Sequence, residues 1–155
     1  MTSHTTHDYG AALLNKITQL ERQNSMSLAQ KIILAETGTV EQALSIITGA
    51  AIRVKVKSQS GRSIITREVV LAAGDTGLPL ISAKSKIYCK NLPERLVRQL
   101  RQKKSGIGTL ILRSRLETFR QITKMGVNEN GKPYRVYRIM HGGKTAFVIR
   151  EDILL

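Results

Sequence analysis

The sequence has a single cysteine, no tryptophan and only two phenylalanines. Because Cys89 is alone, an internal disulfide and a zinc site built from several cysteines are excluded. The three histidines, His4, His7 and His141, lack the paired spacing of metal ligands. The sequence contains no run of about 18 apolar residues, so no membrane-spanning helix is expected. The N-terminus lacks the basic segment and apolar core of a secretory signal. We therefore expect a cytoplasmic protein that uses no metal.

Acidic residues are also scarce: the sequence has 25 basic residues and only 11 acidic ones, which gives a net charge of +14. This charge favours anionic partners, among them nucleic acid, anionic lipid and a small dianion. The basic residues cluster at Arg95–Lys104 and Arg113–Lys124, although a solvated helix face is the favoured explanation of the first cluster. No aromatic stacking platform, zinc knuckle or basic recognition helix is present, so nucleic acid is not the expected partner.

Hydrophobic spacing divides the chain into a helical first third and a mainly β remainder. Apolar residues at helical spacing predict helices over Ala11–Gln23, Ser27–Ala35 and Val40–Ile47. Alternating patterns predict strands, and a further helix interrupts them: Ile52–Lys57, Ser63–Ala73, Leu78–Cys89, the helix Asn91–Lys104, Arg115–Met125, Tyr134–Met140 and Thr145–Ile153. This order predicts a flexible tail at residues 1–8 and one α+β domain at residues 9–155, with a mainly antiparallel sheet.

Two charged residues occupy strand positions where the alternation calls for apolar side chains. Arg67 shares a face with Ile65, Val69 and Leu71, and Glu151 shares one with Phe147, Ile149, Ile153 and Leu155. A charge in an apolar layer is costly unless it is paired, so each needs the other residue or a ligand as its partner. A cation and a carboxylate in an apolar interior are typical of a small-molecule site. A buried ion pair or solvation at the strand ends is the alternative.

The glycines around Ile107 form a second candidate feature. The segment Ser105–Gly108 is neither a phosphate-binding Walker loop nor a dinucleotide fingerprint, because its glycine spacing is wrong and no strand directly precedes it. Glycine on both sides of Ile107 would still let backbone N–H groups approach an anion. The alternative is a flexible break over Ser105–Thr109, in which the glycines only cap the preceding helix and form a turn.

Several segments, taken in order, resemble the chorismate lyase family and its small relatives. They are Glu36–Gly49, Thr66–Leu71, Asn91–Leu100, Gly106–Leu112, Arg115–Arg120 and Tyr134–Glu151. The match around these segments covers roughly residues 30–155, with the helical insertion in the family's place. The resemblance rests on the order of these segments and on the two inward charges.

This resemblance implies a six-stranded antiparallel sheet with helices packed against it, enclosing a small internal cavity. The family's enzymes convert chorismate into 4-hydroxybenzoate and pyruvate without metal or organic cofactor. By position, Arg67 and Glu151 would be the catalytic residues. Arg67 would bind the ring carboxylate of this small anionic aromatic ligand, and Glu151 would contact its ring hydroxyl and either polarise it or accept a proton. Ile107 and Thr39 would contact the ligand through their backbones. The same fold serves as the effector-binding module of transcription regulators, which leaves a non-catalytic binder of an aromatic carboxylate open.

The chain departs from the family pattern at two places. Thr39 stands where the best-known enzyme has methionine, but a backbone contact does not require the methionine side chain. The spacing from the final Gly-Lys turn to Glu151 is one residue longer, and Asp152–Leu155 replaces an apolar tail that contains proline. The chemistry fits regardless, because an elimination driven by aromatisation mainly requires binding, orientation and one proton transfer.

Overall fold

A computed structural model of the protein describes residues 9–155. The elements follow the order α1 (Tyr9–Glu21), α2 (Leu28–Ala35), α3 (Val40–Thr48), β1 (Ile52–Ser60), β2 (Ile64–Ala73), β3 (Pro79–Tyr88), a 3-10 turn (Cys89–Asn91), α4 (Glu94–Arg101), α5 (Ile107–Ser114), β4 (Phe119–Val127), β5 (Pro133–His141) and β6 (Lys144–Ile153). The predicted tail at residues 1–8, with His4 and His7, lies outside the described residues. Within them, no helix is long and apolar enough to cross a membrane.

The described strands form one six-stranded sheet in the order β1-β2-β3-β6-β5-β4. Every neighbouring pair is antiparallel, which confirms the predicted α+β class and the antiparallel sheet. The strands β1, β2 and β3 are consecutive in sequence, as are β4, β5 and β6. Pairing of β3 with β6 joins the two halves at the middle of the sheet, so side chains from both halves meet there.

One face of the sheet is apolar, and the helices pack on it. Its buried strand residues include Ile65, Leu71, Ala83, Ile87, Phe147, Ile149 and Ile153. The helices add Ile33 and Leu34 from α2, Leu44 from α3, Leu96 and Leu100 from α4, and Leu110 and Ile111 from α5 to the same core. Burial of each large side chain stabilises the fold by about 1.5–3 kcal/mol. The cost of placing a charge in this layer is correspondingly high.

The main difference from the sequence prediction lies between α4 and β4. The segment predicted as a flexible break at Ser105–Thr109 runs directly into a helix, α5. The buried pair Leu110 and Ile111, three and four residues after Ile107, is the helical spacing that the glycines obscured. Strand β4 begins at Phe119 rather than Arg115, because Arg115 ends α5 in a left-handed conformation with φ 50°.

Candidate functional site

The four residues predicted to contact a ligand line one cavity, which is partly open to the surface. Arg67 reaches it from β2 and Glu151 from β6. Ile107 is the first residue of α5, and Thr39 directly precedes α3. The cavity has a volume of about 50 Å³, which is room for a few water molecules. The structure therefore brings the four residues together, whereas their contacts with a ligand stay predictions.

Arg67 is a buried cation with unused hydrogen-bond donors. Only 2% of its surface is exposed, and its Nη2 donates to the backbone carbonyl of Ser105. Its Nε and Nη1 atoms are buried without a hydrogen-bond partner. None of the ion pairs among residues 9–155 includes Arg67. Since unpaired buried donors are costly, the side chain is poised for an anion that accepts two hydrogen bonds, such as a carboxylate.

Glu41, in the first turn of α3, also lines the cavity and interacts electrostatically with Arg67. Burial lowers the pKa of the Arg67 guanidinium, and the Glu41 carboxylate raises it again. Oε2 of Glu41 accepts a hydrogen bond from the Thr109 hydroxyl at 3.0 Å. A Cβ on Gly106 would lie 2.0 Å from Oε1 of Glu41, so a larger residue there would displace this carboxylate.

The N-terminus of α5 faces the same cavity. Gly106 is its N-cap and no side chain caps the helix, so the first-turn N–H groups have no partner within the helix. Gly106, Ile107 and Gly108 all line the cavity. A helix N-terminus carries partial positive charge, and the unpaired donors of Arg67 lie in the lining of the same cavity. Together they form a site suited to a carboxylate.

Glu151 is paired within the protein, by a residue that the sequence analysis did not identify. Its Oε2 accepts from Nε of Arg135 at 2.8 Å, and its Oε1 accepts from the Tyr137 hydroxyl at 2.7 Å. Arg135 stands directly opposite Glu151 in the sheet and is fully buried. The expectation that Glu151 pairs with Arg67 or with a ligand alone is therefore corrected: Arg135 balances its charge.

Tyr137 lines the cavity and keeps its proton. Burial, and then the Glu151 carboxylate, raise the pKa of the Tyr137 hydroxyl well above its ordinary value, against smaller opposing effects of Arg135 and Arg120. The guanidinium of Arg135 lies 4.6 Å from the centre of the Tyr137 ring. The hydroxyl is therefore a fixed donor that orients the Glu151 carboxylate toward the cavity.

The sequence contained a signal for Arg135 and Tyr137. In β5, burial alternates strictly, and Arg135, Tyr137 and Ile139 share the buried face. The alternation that indicated Arg67 and Glu151 would have indicated these residues too, had it been applied to this strand. Arg120 and Glu41 gave no such signal, because one lies on an edge strand and the other in a helix.

The backbone contacts predicted for Thr39 are restricted by the fold. Its carbonyl accepts from the N–H groups of Gln42 and Ala43 in α3 at 3.1 and 3.3 Å. Its side chain makes no capping hydrogen bond, although threonine directly before a helix favours one. The N–H group and the methyl-bearing side chain of Thr39 are what it can offer a ligand.

No group of three or more His, Cys, Asp and Glu side chains suited to a metal ion occurs within residues 9–155. The charged side chains that line the cavity are instead Arg67, Arg120, Glu41 and Glu151. Glu151 is held by Tyr137 and by a further arginine, Arg135.

One protein family has a sequence pattern that matches residues 28–153 of this chain: Rv2949c-like, described as Chorismate pyruvate-lyase Rv2949c-like. The chain belongs to this family. The matched range contains all four residues predicted for the site, so the suspected family is confirmed. Membership in this family supports a lyase-like activity. The cavity between the sheet and the helices is the candidate site for it.

Individual proteins resemble the chain in sequence or in fold. The Methanocaldococcus jannaschii protein named "Putative lyase MJ0807" is 28% identical over 158 residues, covering 90% of this chain and 85% of that protein. PhnF from Mycobacterium smegmatis gives a TM-score of 0.52 at 10% identity, over 77% of this chain and 64% of that one. The effector domain of PhnF gives 0.52 at 11% identity, over 76% and 89%. At these identities the likeness to PhnF shows the fold alone.

Proposed function

We propose that the protein is a chorismate lyase that converts chorismate into 4-hydroxybenzoate and pyruvate without a cofactor. One observation carries the proposal: Arg67 is buried with two unpaired donor atoms in a cavity that also contains the Glu151–Tyr137 pair. Chorismate carries a ring carboxylate and a ring hydroxyl on opposite carbons. The cavity offers a cation for the first and a hydrogen-bond acceptor for the second.

The ring carboxylate would bind at Arg67 and the N-terminus of α5. Nε and Nη1 of Arg67 are its unused donors. Because they lie on different edges of the guanidinium, the carboxylate would accept from one of them together with Nη2, and from the backbone N–H of Ile107. Charge-assisted hydrogen bonds of this kind are roughly twice as strong as neutral ones. Binding would therefore satisfy a buried donor that the ligand-free protein leaves unpaired.

The ring hydroxyl would donate to Glu151. Both oxygens of this carboxylate already accept one hydrogen bond, from Arg135 and Tyr137, and each retains a further lone pair. The carboxylate is thus held in place by two donors of the protein. Its role is therefore to fix the hydroxyl-bearing carbon beside the departing group rather than to take the proton itself.

The reaction then follows from the substrate's own bonds. The ether bond between the ring and the enolpyruvyl oxygen breaks, and the hydrogen on the hydroxyl-bearing ring carbon moves to the enolpyruvyl methylene carbon. The ring becomes aromatic and leaves as 4-hydroxybenzoate, and the enolpyruvyl group leaves as pyruvate. No electron acceptor is needed, and the protein supplies orientation, which in bound reactants replaces much of the entropic barrier.

The small cavity requires that binding displace internal contacts. At about 50 Å³ it holds a few waters, less than an aromatic ring with two substituents. The hydrogen bond from Arg67 to the Ser105 carbonyl is the one that a carboxylate replaces most directly. Release of this bond would let the segment before α5 move as the ligand enters.

The alternative is a non-catalytic protein that binds a small aromatic carboxylate at the same site. The shared fold of the PhnF effector domain favours it, since an effector domain with this architecture exists. Both functions require Arg67, so a binding measurement alone does not separate them. Release of pyruvate does.

The test is to incubate the purified protein with chorismate and to measure pyruvate and hydroxybenzoate together. We expect both products in equal amounts, with chromatography separating 4-hydroxybenzoate from its 3-hydroxy isomer. Arg67→Ala should cost about 2–5 kcal/mol in transition-state binding, because the substrate carboxylate would be buried unpaired. Lys86→Ala, an exposed position on the neighbouring strand β3, is the matched control and should keep full activity.

Suppose that the parent protein binds 4-hydroxybenzoate but releases no more pyruvate from chorismate than the spontaneous reaction does. That result would exclude the lyase activity and support the non-catalytic binding function. Undiminished turnover by Arg67→Ala at low chorismate would show that the site is assigned wrongly.

A further inference from the structure

Arg120 stands between the internal cavity and the protein surface. It lies in β4 opposite Ile139, half-buried, and lines the cavity. It also lines a hollow of about 680 Å³ on the outside of α5. Thr39 and Gly108 line both spaces as well. A ligand that passes from the hollow into the cavity would therefore pass Arg120.

The charge of Arg120 has no carboxylate to balance it. Its Nη1 donates to the backbone carbonyl of Gly38, and its guanidinium lies 5.8 Å from the centre of the Tyr137 ring. Within the described residues, no ion pair includes it. A neutral carbonyl is a weaker acceptor than a carboxylate. The bond to Gly38 is thus one that an anionic ligand can replace with a stronger one.

Arg67 and Arg120 lie near the two ends of one segment, Ser105–Gly108. Arg67 donates to the carbonyl of Ser105. Nη2 of Arg120 lies 3.7 Å from where a Cβ on Gly108 would stand. Two arginines that form no ion pair within residues 9–155 therefore flank Ser105–Gly108, and both line the cavity. Two such cations in one cavity suit a ligand with two separate carboxylates.

We infer that Arg120 binds the second carboxylate of a dianionic substrate at the mouth of the cavity and so determines the preference for substrate over product. The inference rests on the proposed function, in which Arg67 holds the ring carboxylate and the enolpyruvyl carboxylate points outward. After cleavage the aromatic monoanion stays at Arg67, and the pyruvate remains at the mouth, bound to Arg120. Pyruvate therefore leaves first.

Two unreactive probes test this assignment by calorimetric titration. One is 4-hydroxybenzoate, with a single carboxylate, and the other is 3-(carboxymethoxy)-4-hydroxybenzoate, which adds a second carboxylate where chorismate carries its ether. We expect Arg120→Gln to weaken binding of the dianionic probe by about 10- to 100-fold, the usual effect of losing a hydrogen bond to a charged group. Binding of 4-hydroxybenzoate should change by less than about 3-fold. Arg67→Gln should weaken both probes.

The matched control is Arg138→Gln, which removes the same charge from β5. Arg138 is hydrogen-bonded to Gln121 at 2.8 Å, away from the cavity, so both affinities should be kept. A second variant, Arg120→Lys, retains the charge but not the planar fork. It should lose only part of the dianion preference, and it provides the test if the glutamine variant does not fold.

The inference would be overturned if Arg120→Gln weakened binding of both probes equally or of neither. It would also be overturned if Arg138→Gln weakened binding of the dianionic probe as much as Arg120→Gln does. The proposed function fails separately: a parent that selects the dianion through Arg120 but releases no pyruvate is a binder of aromatic dicarboxylates rather than a lyase.

Discussion

Arg135 and Glu151 are direct neighbours across β5 and β6, and their side chains form a buried ion pair. The pair is not isolated, because Arg135 also donates to the Glu36 carbonyl that follows α2. This arginine therefore connects the carboxylate of the site to the helical layer above the sheet. It holds in place a residue that we expect to touch the ligand, without lining the cavity itself.

Removing Arg135 should destabilise the fold. Arg135→Met leaves Glu151 buried without its countercharge, and we expect the free energy of unfolding to fall by about 3–5 kcal/mol. Urea denaturation followed by circular dichroism measures this change. The double variant Arg135→Met/Glu151→Gln should recover much of the loss, since neither position of the pair then carries a buried charge. A double variant less stable than Arg135→Met would contradict this explanation.

Tyr137 should make stability sensitive to alkaline pH. Its hydroxyl pKa is raised by burial and by Glu151, so the native state holds this proton more tightly than the unfolded chain, where tyrosine ionises near about pH 10. The contribution is fully present below that pH and is lost as the pH rises toward the higher native value. Melting temperatures between pH 9 and 11 (roughly the window around the reference value) should fall less steeply for Tyr137→Phe. Parallel curves would contradict the assignment.

Asp152 should make stability sensitive to acidic pH. Its pKa is lowered chiefly by the hydrogen bond from Arg150, with a further one from Asn128. Its contribution to stability is present above the ordinary aspartate value of about 3.9 and is lost as the pH falls through the lowered native value. Carbon-detected NMR titration should place the midpoint below that value, and Arg150→Gln should move it upward. An unchanged midpoint in that variant would refute Arg150 as the cause.

Gly106→Ala should damage the site more than Gly108→Ala. A Cβ at Gly106 would stand 2.0 Å from Oε1 of Glu41, whereas one at Gly108 would approach the Thr39 methyl at 3.3 Å. The first substitution must displace the Glu41 carboxylate from the cavity lining, and the second requires a shift of a few tenths of an ångström. We expect loss of 4-hydroxybenzoate binding for Gly106→Ala and a smaller loss for Gly108→Ala, both measured by calorimetry. The reverse order would show that Glu41 moves freely.

Arg67 should reduce the stability of the ligand-free protein. Two of its buried donors are unpaired, and replacing a buried charge by an apolar side chain of similar length is often neutral or stabilising. Arg67→Met should therefore melt at the same temperature as the parent or higher, while losing the increase that saturating 4-hydroxybenzoate gives the parent by mass action. A variant that melts lower and still responds to the ligand would exclude this role.

The sequence predicted the part of the site that lies on regular strands. Alternation placed Arg67 and Glu151 on the apolar face, because the direction of a strand side chain follows from its position alone. It did not show that Arg135, rather than a ligand, balances Glu151, since that depends on which strands are neighbours. The pairing of β5 with β6 settles it.

The remainder depended on geometry that no local pattern contains. Helix α5 was missed because two glycines mask a helical spacing that tertiary packing enforces at Leu110 and Ile111. The position of Arg120 depends on the edge strand β4, whose register shifts between Ile122 and Lys124. The size of the cavity depends on how far the helices stand from the sheet, which side-chain packing determines.

The pairing of β3 with β6 has a consequence for how binding competence arises. Arg67 belongs to the half of the sheet before this seam and Glu151 to the half after it, and the strands at the seam are distant in sequence, with Ile81 beside Ile153. Closing so long a loop is an entropically costly, slow step. A chain with only one half folded has only one half of the site. A ligand that spans the seam therefore stabilises the completed fold and no partly folded form, so the substrate itself would shift the chain toward its native state.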